Sequence, residues 1–210
     1  MNIVVFVVYV DDLLMFGGRQ SEPVLSKVGR EIKMDDPEEI GKYLGCNHEF
    51  VTVGPTTTIV WEMRDYLISA VDEYKAVTGL TSITPASTPF AADESNDVYL
   101  RRLSKPGRRA KSCASFLMKL LWAARQAVPQ LSYTIHSLAS QMHKWSEEAD
   151  RRLHRLYQYV THVVSQDWVL SGSLSTLDLE RLELRGWPDA DLAGDNWTTK
   201  STSGCFIELA

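Results

Sequence analysis

The sequence predicts an α+β chain, in which strand hairpins and helices occupy separate stretches, and three patterns carry that expectation. Near the N-terminus the apolar runs IVVFVVYV and LLMFGG flank Asp11 and Asp12, an order that reads as strand, acidic turn, strand. Farther along, the strand-like pieces NHEFVTV and TTTIVWE meet at Gly54-Pro55. In the last third, Leu153, Leu156, Tyr157 and Val160 recur at three- and four-residue intervals and share one apolar helix face.

Punctuation divides the rest. The first hairpin runs to Gly17 and Gly18, a helix is expected from about Ser21 to Lys33, and Asp35, Asp36 and Pro37 make an acidic turn. After the second pair of strands, Met63 to Tyr74 reads as an amphipathic helix. From Val77 to Lys111 the chain is rich in Thr, Ser, Pro and charge with little periodicity, which predicts a connecting segment. Three helices follow, about Cys113 to Ala127, Leu131 to Met142 and Glu147 to Val164, and the loosely alternating stretch from Trp168 to Leu184 reads as a hairpin leading into a final domain. No internal repeat or low-complexity tract is visible.

A chain of 210 residues with 44% apolar content can bury a substantial core in one or two domains. Cys46, Cys113 and Cys205 are odd in number, far apart and in no CxxC pair. Neither a disulfide framework nor a zinc knuckle is therefore expected, and each reads as a small buried hydrophobe. The opening MNIVVFVVYV lacks a basic flank and is interrupted by Asp11 and Asp12, which argues against a secretion signal, and no later stretch is apolar for long enough to span a bilayer. The net charge of −5 disfavours a surface coated with basic residues, yet charge is unevenly placed. Arg101, Arg102, Lys105, Arg108, Arg109 and Lys111 form a basic run after the acidic Asp93, Glu94 and Asp97. That run reads either as a solvated linker or as a surface that neutralises nucleic-acid phosphates in a salt-dependent way.

Asp11 and Asp12 admit two readings by themselves. Both tolerate turn dihedrals and hydrogen-bond their own backbone, so the pair can simply close a hairpin. Adjacent carboxylates also repel, and a bound cation reverses the local electrostatics; a hard, oxygen-seeking ion such as Mg²⁺ is the natural guest. No GxxxxGK[ST] loop supports nucleotide binding elsewhere, and no Cys, Asp or Glu completes a ligand set with His154 and His162.

Ile3 to Gly17, with Tyr9-Val10-Asp11-Asp12 at its centre, resembles the signature hairpin of reverse transcriptases in the form used by polyproteins of Ty1/copia-type retrotransposons. The resemblance continues in the family's order through Gly41-Lys42-Tyr43-Leu44-Gly45, Arg64-Asp65-Tyr66-Leu67 and Ala86-Ser87-Thr88-Pro89. It goes on through Ala127-Val128-Pro129-Gln130-Leu131-Ser132-Tyr133 and Leu138-Ala139-Ser140. At the end, Gly186-Trp187-Pro188-Asp189-Ala190-Asp191-Leu192-Ala193-Gly194-Asp195, followed by Lys200-Ser201-Thr202-Ser203-Gly204, is similar to the start of the family's RNase H domain.

The resemblance implies the C-terminal part of a reverse-transcriptase palm (antiparallel hairpin plus helices) with the start of the thumb over residues 1–76. A linker and mainly helical connection region would occupy 77–185, and the first strands of an RNase H-like α/β domain 186–210. It implies that the parent polyprotein is an RNA-directed DNA polymerase working by two-metal phosphoryl transfer with Mg²⁺. Asp11 would be the direct metal ligand and Asp12 a second or outer one. Tyr9 and Val10 would lie against the primer end and the incoming nucleotide, with the small Val10 leaving room for the sugar. Asp189 would match the first metal-binding aspartate of the RNase H domain, with Asp191 and Asp195 close by. Partners would be an RNA or DNA template with primer and dNTP, gripped through the backbone, and the remainder of the polyprotein. The expected location is the cytoplasm, in the virus-like particle of the parent element, or the nucleus, without membrane attachment or secretion. The family takes a further catalytic carboxylate from a strand upstream of the hairpin, and most RNase H carboxylates from later strands and helices. The isolated chain is therefore expected to be inactive. Pro188, Leu192 and Gln130 stand where the family has Ser, Trp and Asp, and Tyr159 to Val163 departs from its Y-L-K-G-T, the marks of a diverged copy. The competing expectation is a non-catalytic, degenerate fragment, either without function or with nucleic-acid binding retained.

Overall fold

The computed structural model describes residues 4–18, 21–90, 96–191 and 201–209. Within them the chain is mixed α/β, built of hairpins and helices, and it divides into two compact units: residues 1–50 with 59–171, and residues 51–58 with 172–210. Asp93, Glu94, Leu192, Ala193, Gly194, Asp195 and Lys200 lie outside the described residues.

In the first unit β1 (Val5–Tyr9) and β2 (Asp12–Phe16) pair antiparallel, from Val5 opposite Phe16 to Tyr9 opposite Asp12. The alternating sequence produces this hairpin directly, because a two-residue connection allows a tight return. Helix α1 (Ser21–Glu31) follows, and its Val24, Leu25 and Val28 fall on one half-buried face. The strands β3 (Lys42–Tyr43), β4 (Cys46–Val53), β5 (Thr56–Glu62) and, later, β6 (Leu170–Ser175) form a sheet in the order β3-β4-β5-β6, of which Val51–Val53, Thr56–Thr58 and Gly172–Ser175 belong to the second unit.

The core is helical. In α2 (Arg64–Thr78), Leu67, Ala70, Val71 and Tyr74 recur at helical spacing and are all buried. Gly79 ends this helix in the left-handed region at φ 72°, and the amide of Leu80 donates back to the carbonyl of Lys75 at 3.1 Å. Helix α3 (Asn96–Leu103) precedes α4 (Cys113–Gln126), a 3-10 turn at Pro129–Leu131, α5 (Ser132–Ala139) and α6 (Glu147–Ser165). Ser146 caps α6 by accepting from the Ala149 amide at 3.2 Å, and Glu147, Glu148 and Asp150 place negative charge in its first turn, where the helix dipole favours it.

Helices α2, α4, α5 and α6 close around Leu117, Leu120, Ile135, Leu153 and Leu156, all fully buried. At the centre Tyr74 stacks on Tyr157 with centroids 4.0 Å apart, and Phe116 meets both rings edge-on at 5.2 and 5.8 Å. Such pairs add about 0.5–1.5 kcal/mol each beyond the burial of their surface. Burial pushes the Tyr74 hydroxyl up to about 12 even though the nearby Arg109 works the other way. His154 offers its Nδ1 to the Tyr74 hydroxyl at 3.3 Å, and burial together with Arg109 holds its pKa below the ordinary histidine value. It is a core-lining helix residue, as its sequence context indicates.

Several elements differ from expectation. The segment Val77 to Lys111 contains α3, which forms because it packs on α6 through Tyr99 and Arg102 rather than because its own sequence is strongly periodic. Pro129 delays α5, which is shorter than the expected Leu131 to Met142 and begins after the 3-10 turn. Trp168 to Leu184 is no hairpin of its own: β6 pairs with β5, a partner more than a hundred residues earlier. Cys46 and Cys113 are buried as expected, whereas Cys205 is exposed in a two-stranded sheet.

The second unit holds β7 (Leu184–Asp191) and β8 (Thr202–Leu209), paired antiparallel from Leu184 opposite Leu209 to Asp191 opposite Thr202. Trp187 lies opposite Phe206, with ring centroids 5.7 Å apart.

Candidate functional site

The β1–β2 tip follows from its pairing. Tyr9 opposite Asp12 leaves only Val10 and Asp11 to turn the chain, and side-chain alternation puts Tyr9 and Asp12 on one face of the ribbon. Two-residue hairpin turns need a positive φ at their first central position. Here that position is Val10, at φ 57°, a conformation that a β-branched residue adopts only under constraint. Val10 is 87% exposed, so no packing of its side chain repays the strain. Residues held this way cost ~1–3 kcal/mol. We expect Val10→Gly to stabilise the hairpin by about 1 kcal/mol after the greater entropy of the unfolded glycine is subtracted, read as slower amide exchange of β1 and β2.

Asp11 and Asp12 are both exposed at this tip. Tyr9 leans on Trp122 of α4, with ring centroids 6.0 Å apart and planes tilted 44°. The same indole donates from Nε1 to the carbonyl of Leu44 at 3.0 Å, and Leu44 sits in the turn between β3 and β4 at φ 51°. Tyr66 adds a bond from its hydroxyl to the carbonyl of Lys119 at 3.1 Å. Helix α4 therefore holds both the acidic hairpin and the Leu44-Gly45 turn. No motif singled out Trp122; as an aromatic residue on a helix it reads like any core residue, and only the fold brings it to Tyr9.

For Mg²⁺ the residues present supply part of a ligand set. Two adjacent carboxylates on an exposed tip are suitable hard donors, and Mg²⁺ is commonly held by one or two carboxylates with water and substrate phosphates completing the shell. No group of three His, Cys, Asp or Glu side chains that could hold a metal occurs among the described residues.

Asp189 lies in β7 opposite Gly204, exposed on the two-stranded sheet of the second unit. It too has no cluster of ligands about it among the described residues.

The basic run divides into two groups. Arg102 reaches Glu148 at 3.7 Å, Lys105 reaches Glu147 at 3.8 Å, and Arg109 reaches Asp150 at 3.7 Å. Arg101, Arg108 and Lys111 point outward and are exposed. Half of the run thus neutralises the acidic first turn of α6. This pairing joins residues about forty positions apart and has no local signature. The backbone does the same work: Arg108 and Arg109 donate their amides to the two oxygens of Asp150 at 2.6 and 3.2 Å, and Trp145 Nε1 donates to Asp150 at 2.7 Å. Gly107 lies so close to Ser146 that an added Cβ would sit 2.4 Å from its carbonyl oxygen.

The fold and the hairpin define a mixed α/β segment with an exposed two-aspartate turn. No family model matches the chain. Over 210 residues, 99% of the chain, it is 25% identical to the retrovirus-related Pol polyprotein from transposon RE1 of Arabidopsis thaliana. It is 22% identical over the same length to the corresponding polyprotein from transposon RE2 of that plant. The chain spans 13% of the length of each of these relatives. Its homology to retrotransposon Pol polyproteins is therefore partial. No solved structure matches. No helix among the described residues is long and apolar enough to cross a membrane.

Proposed function

We propose that this chain is the segment of a Ty1/copia-type retrotransposon Pol polyprotein that carries the aspartate hairpin of its RNA-directed DNA polymerase, followed by thumb and connection elements and the start of an RNase H-like domain. The observation that carries this reading is the two-residue turn that presents Asp11 and Asp12 side by side at an exposed tip, in a chain similar over 99% of its length to Pol polyproteins.

In this reading Asp11 and Asp12 hold Mg²⁺, with a further carboxylate supplied by another part of the polyprotein. An ion held there by Asp11 and Asp12 would supply Lewis-acid chemistry, lowering the pKa of a primer hydroxyl and neutralising charge on a leaving pyrophosphate. The chain's own residues do the positioning. The two-residue turn sets the direction of Asp11, and Trp122 packs against Tyr9 beside it. The exposed Val10 faces the incoming nucleotide without bulk. Asp189 serves the second site in the same way, as one carboxylate of a set completed elsewhere. The chain works in the cytoplasm or nucleus on template, primer and dNTP.

The test is primer extension on poly(rA) primed with oligo(dT). The isolated chain should make no DNA. Joined in frame to the preceding polyprotein, it should support Mg²⁺-dependent synthesis that Asp11→Asn reduces about a thousandfold, ~4 kcal/mol of barrier. Undiminished synthesis by that variant would exclude Asp11 from the site. The competing reading, a non-catalytic segment kept for nucleic-acid binding, is favoured by the exposed Arg101, Arg108 and Lys111. It expects hybrid duplex to be bound while the joined protein makes no DNA.

A further inference from the structure

From the end of α2 to Phe90 the chain runs without helix or strand, and it carries the dipeptide Thr-Pro twice, at Thr84-Pro85 and Thr88-Pro89. A proline biases the residue before it away from helical backbone, and both threonines are exposed. The segment lies along α6. Ile83 is buried, the Ala86 amide donates to the Gln158 carbonyl at 3.1 Å, and the Phe90 ring leans on Tyr133 with centroids 5.5 Å apart. Arg155 distinguishes the two threonines. Its Nη2 donates to Thr88 Oγ1 at 2.8 Å, and its Nε is shared between the carbonyls of Thr88 and Phe90, 3.0 Å from each. The Nε–Nη2 edge, which presents two parallel N–H groups, is therefore turned on Thr88. All three acceptors are neutral. Among the described residues no carboxylate pairs with this guanidinium, whereas Arg151 and Arg152 of the same helix both reach Glu148. Thr84 makes no side-chain hydrogen bond among the described residues.

We propose that Thr88 is a phosphorylation site for a proline-directed serine/threonine kinase, and that the Arg155 fork takes up the phosphate and clamps the segment to α6. In the transfer Thr88 Oγ1 bonds to the γ-phosphorus of ATP and the bond from that phosphorus to the β–γ bridging oxygen breaks. ADP leaves, and the hydroxyl proton passes to the kinase's catalytic carboxylate. Pro89 suits such an enzyme because it brings no amide donor into the kinase cleft. The acceptor can reach that cleft. Among the described residues a single backbone bond, that of Ala86, ties residues 81–90 to the rest of the chain, so lifting Thr88 costs little. Once transferred, the phosphate brings a charge of about −2 and three acceptor oxygens beside a guanidinium that holds only neutral ones. Guanidinium bonds to an ionised acceptor are roughly twice as strong as neutral ones, and the planar fork matches phosphate oxygens in pairs. The modification thus converts a loose contact into a latch. It depends neither on the aspartate hairpin nor on the polymerase reading.

The test incubates the full chain with Mg²⁺, ATP and a purified mitogen-activated or cyclin-dependent kinase, and fragment-ion mass spectrometry locates the phosphate. Thr88 should be modified in the wild type, and Thr88→Ala should lose that site. Phosphorus NMR then follows the phosphothreonine through its second ionisation, ordinarily near pH ~6. In the folded chain it should titrate about one pH unit lower than in the same phosphorylated chain under denaturing urea, because an adjacent guanidinium favours the dianion. Arg155→Gln should abolish that difference and Arg155→Lys should keep part of it. Should either variant fail to fold, the comparison of folded and urea-denatured wild type decides by itself. Any phosphate on Thr84 should titrate at the ordinary value. The proposal is overturned if neither kinase modifies Thr88, or if its phosphate titrates alike in the folded and denatured chain. A depression that persists in folded Arg155→Gln overturns it as well.

Discussion

Asp150→Ala is expected to lower the unfolding free energy by about 3–5 kcal/mol, the range for breaking a buried charge pair by removing one partner. Asp150 is 7% exposed and accepts from the amides of Arg108 and Arg109 and from Trp145 Nε1, with the Arg109 guanidinium close by. Alanine would leave three donors without an acceptor and one cation without its counter-charge. Each orphaned donor alone costs ~1–3 kcal/mol. The loss extends beyond one side chain, because these bonds dock the loop from Lys105 to Arg109 on the start of α6. The same docking relies on bonds from the Gly107 amide to the Trp145 carbonyl and from the Glu147 amide to the Lys105 carbonyl, both 2.9 Å. Asp150→Asn keeps an acceptor in place and should cost less than half as much. Urea midpoints at unchanged slope measure the difference, and a cost below about 1 kcal/mol for the alanine variant would mean that the loop docks by shape alone.

Glu148→Ala should cost about 3 kcal/mol, toward the low end of the same range because the three arginines keep some access to water. The remainder is mutual repulsion of guanidinium groups that lose their common counter-ion. The same carboxyl gives stability a pH dependence. Burial pushes its pKa up, but the hydrogen bonds and charges of Arg151 and Arg152 outweigh this, and it lies below the ordinary glutamate value. With the folded pKa depressed, the unfolded chain binds the proton first. The contribution is thus complete above the ordinary glutamate value and disappears as pH falls through the lower, folded one. His154 is also depressed, so its penalty for charging enters earlier, as pH drops below the ordinary histidine value. Acid unfolding of the wild type should show both limbs, and Glu148→Ala should remove the more acidic one. An unchanged lower limb would assign it to another carboxylate.

Local patterns revealed the local elements. The β1–β2 hairpin, the strand Thr56–Glu62, and the helices beginning at Cys113 and Glu147 all appear where alternation or helical spacing places them, because each carries its own period. Helix α3 was illegible because Asp97, Arg101 and Arg102 dilute its apolar face and its stability comes from α6. The partner of β6 was illegible because strand pairing at long range leaves no mark on either strand. At the candidate site the acidic pair was plain in the sequence, whereas the strain at Val10 emerges only when Tyr9 and Asp12 are known to pair. The basic run looked like one feature and is two, since Glu147, Glu148 and Asp150 claim Lys105, Arg102 and Arg109.

The two-residue turn also makes length a counted quantity in this part of the gene. Along a strand, side-chain direction reverses with each residue. One codon gained or lost between Tyr9 and Asp12 would therefore send Asp12 and every residue of β2 to the opposite face, exchanging Leu14 and Phe16 with Leu13 and Met15. Substitutions around the aspartates leave that parity untouched. A copy of this gene can thus drift far in composition and still present its acidic tip, while a single in-frame triplet at the turn would turn it over.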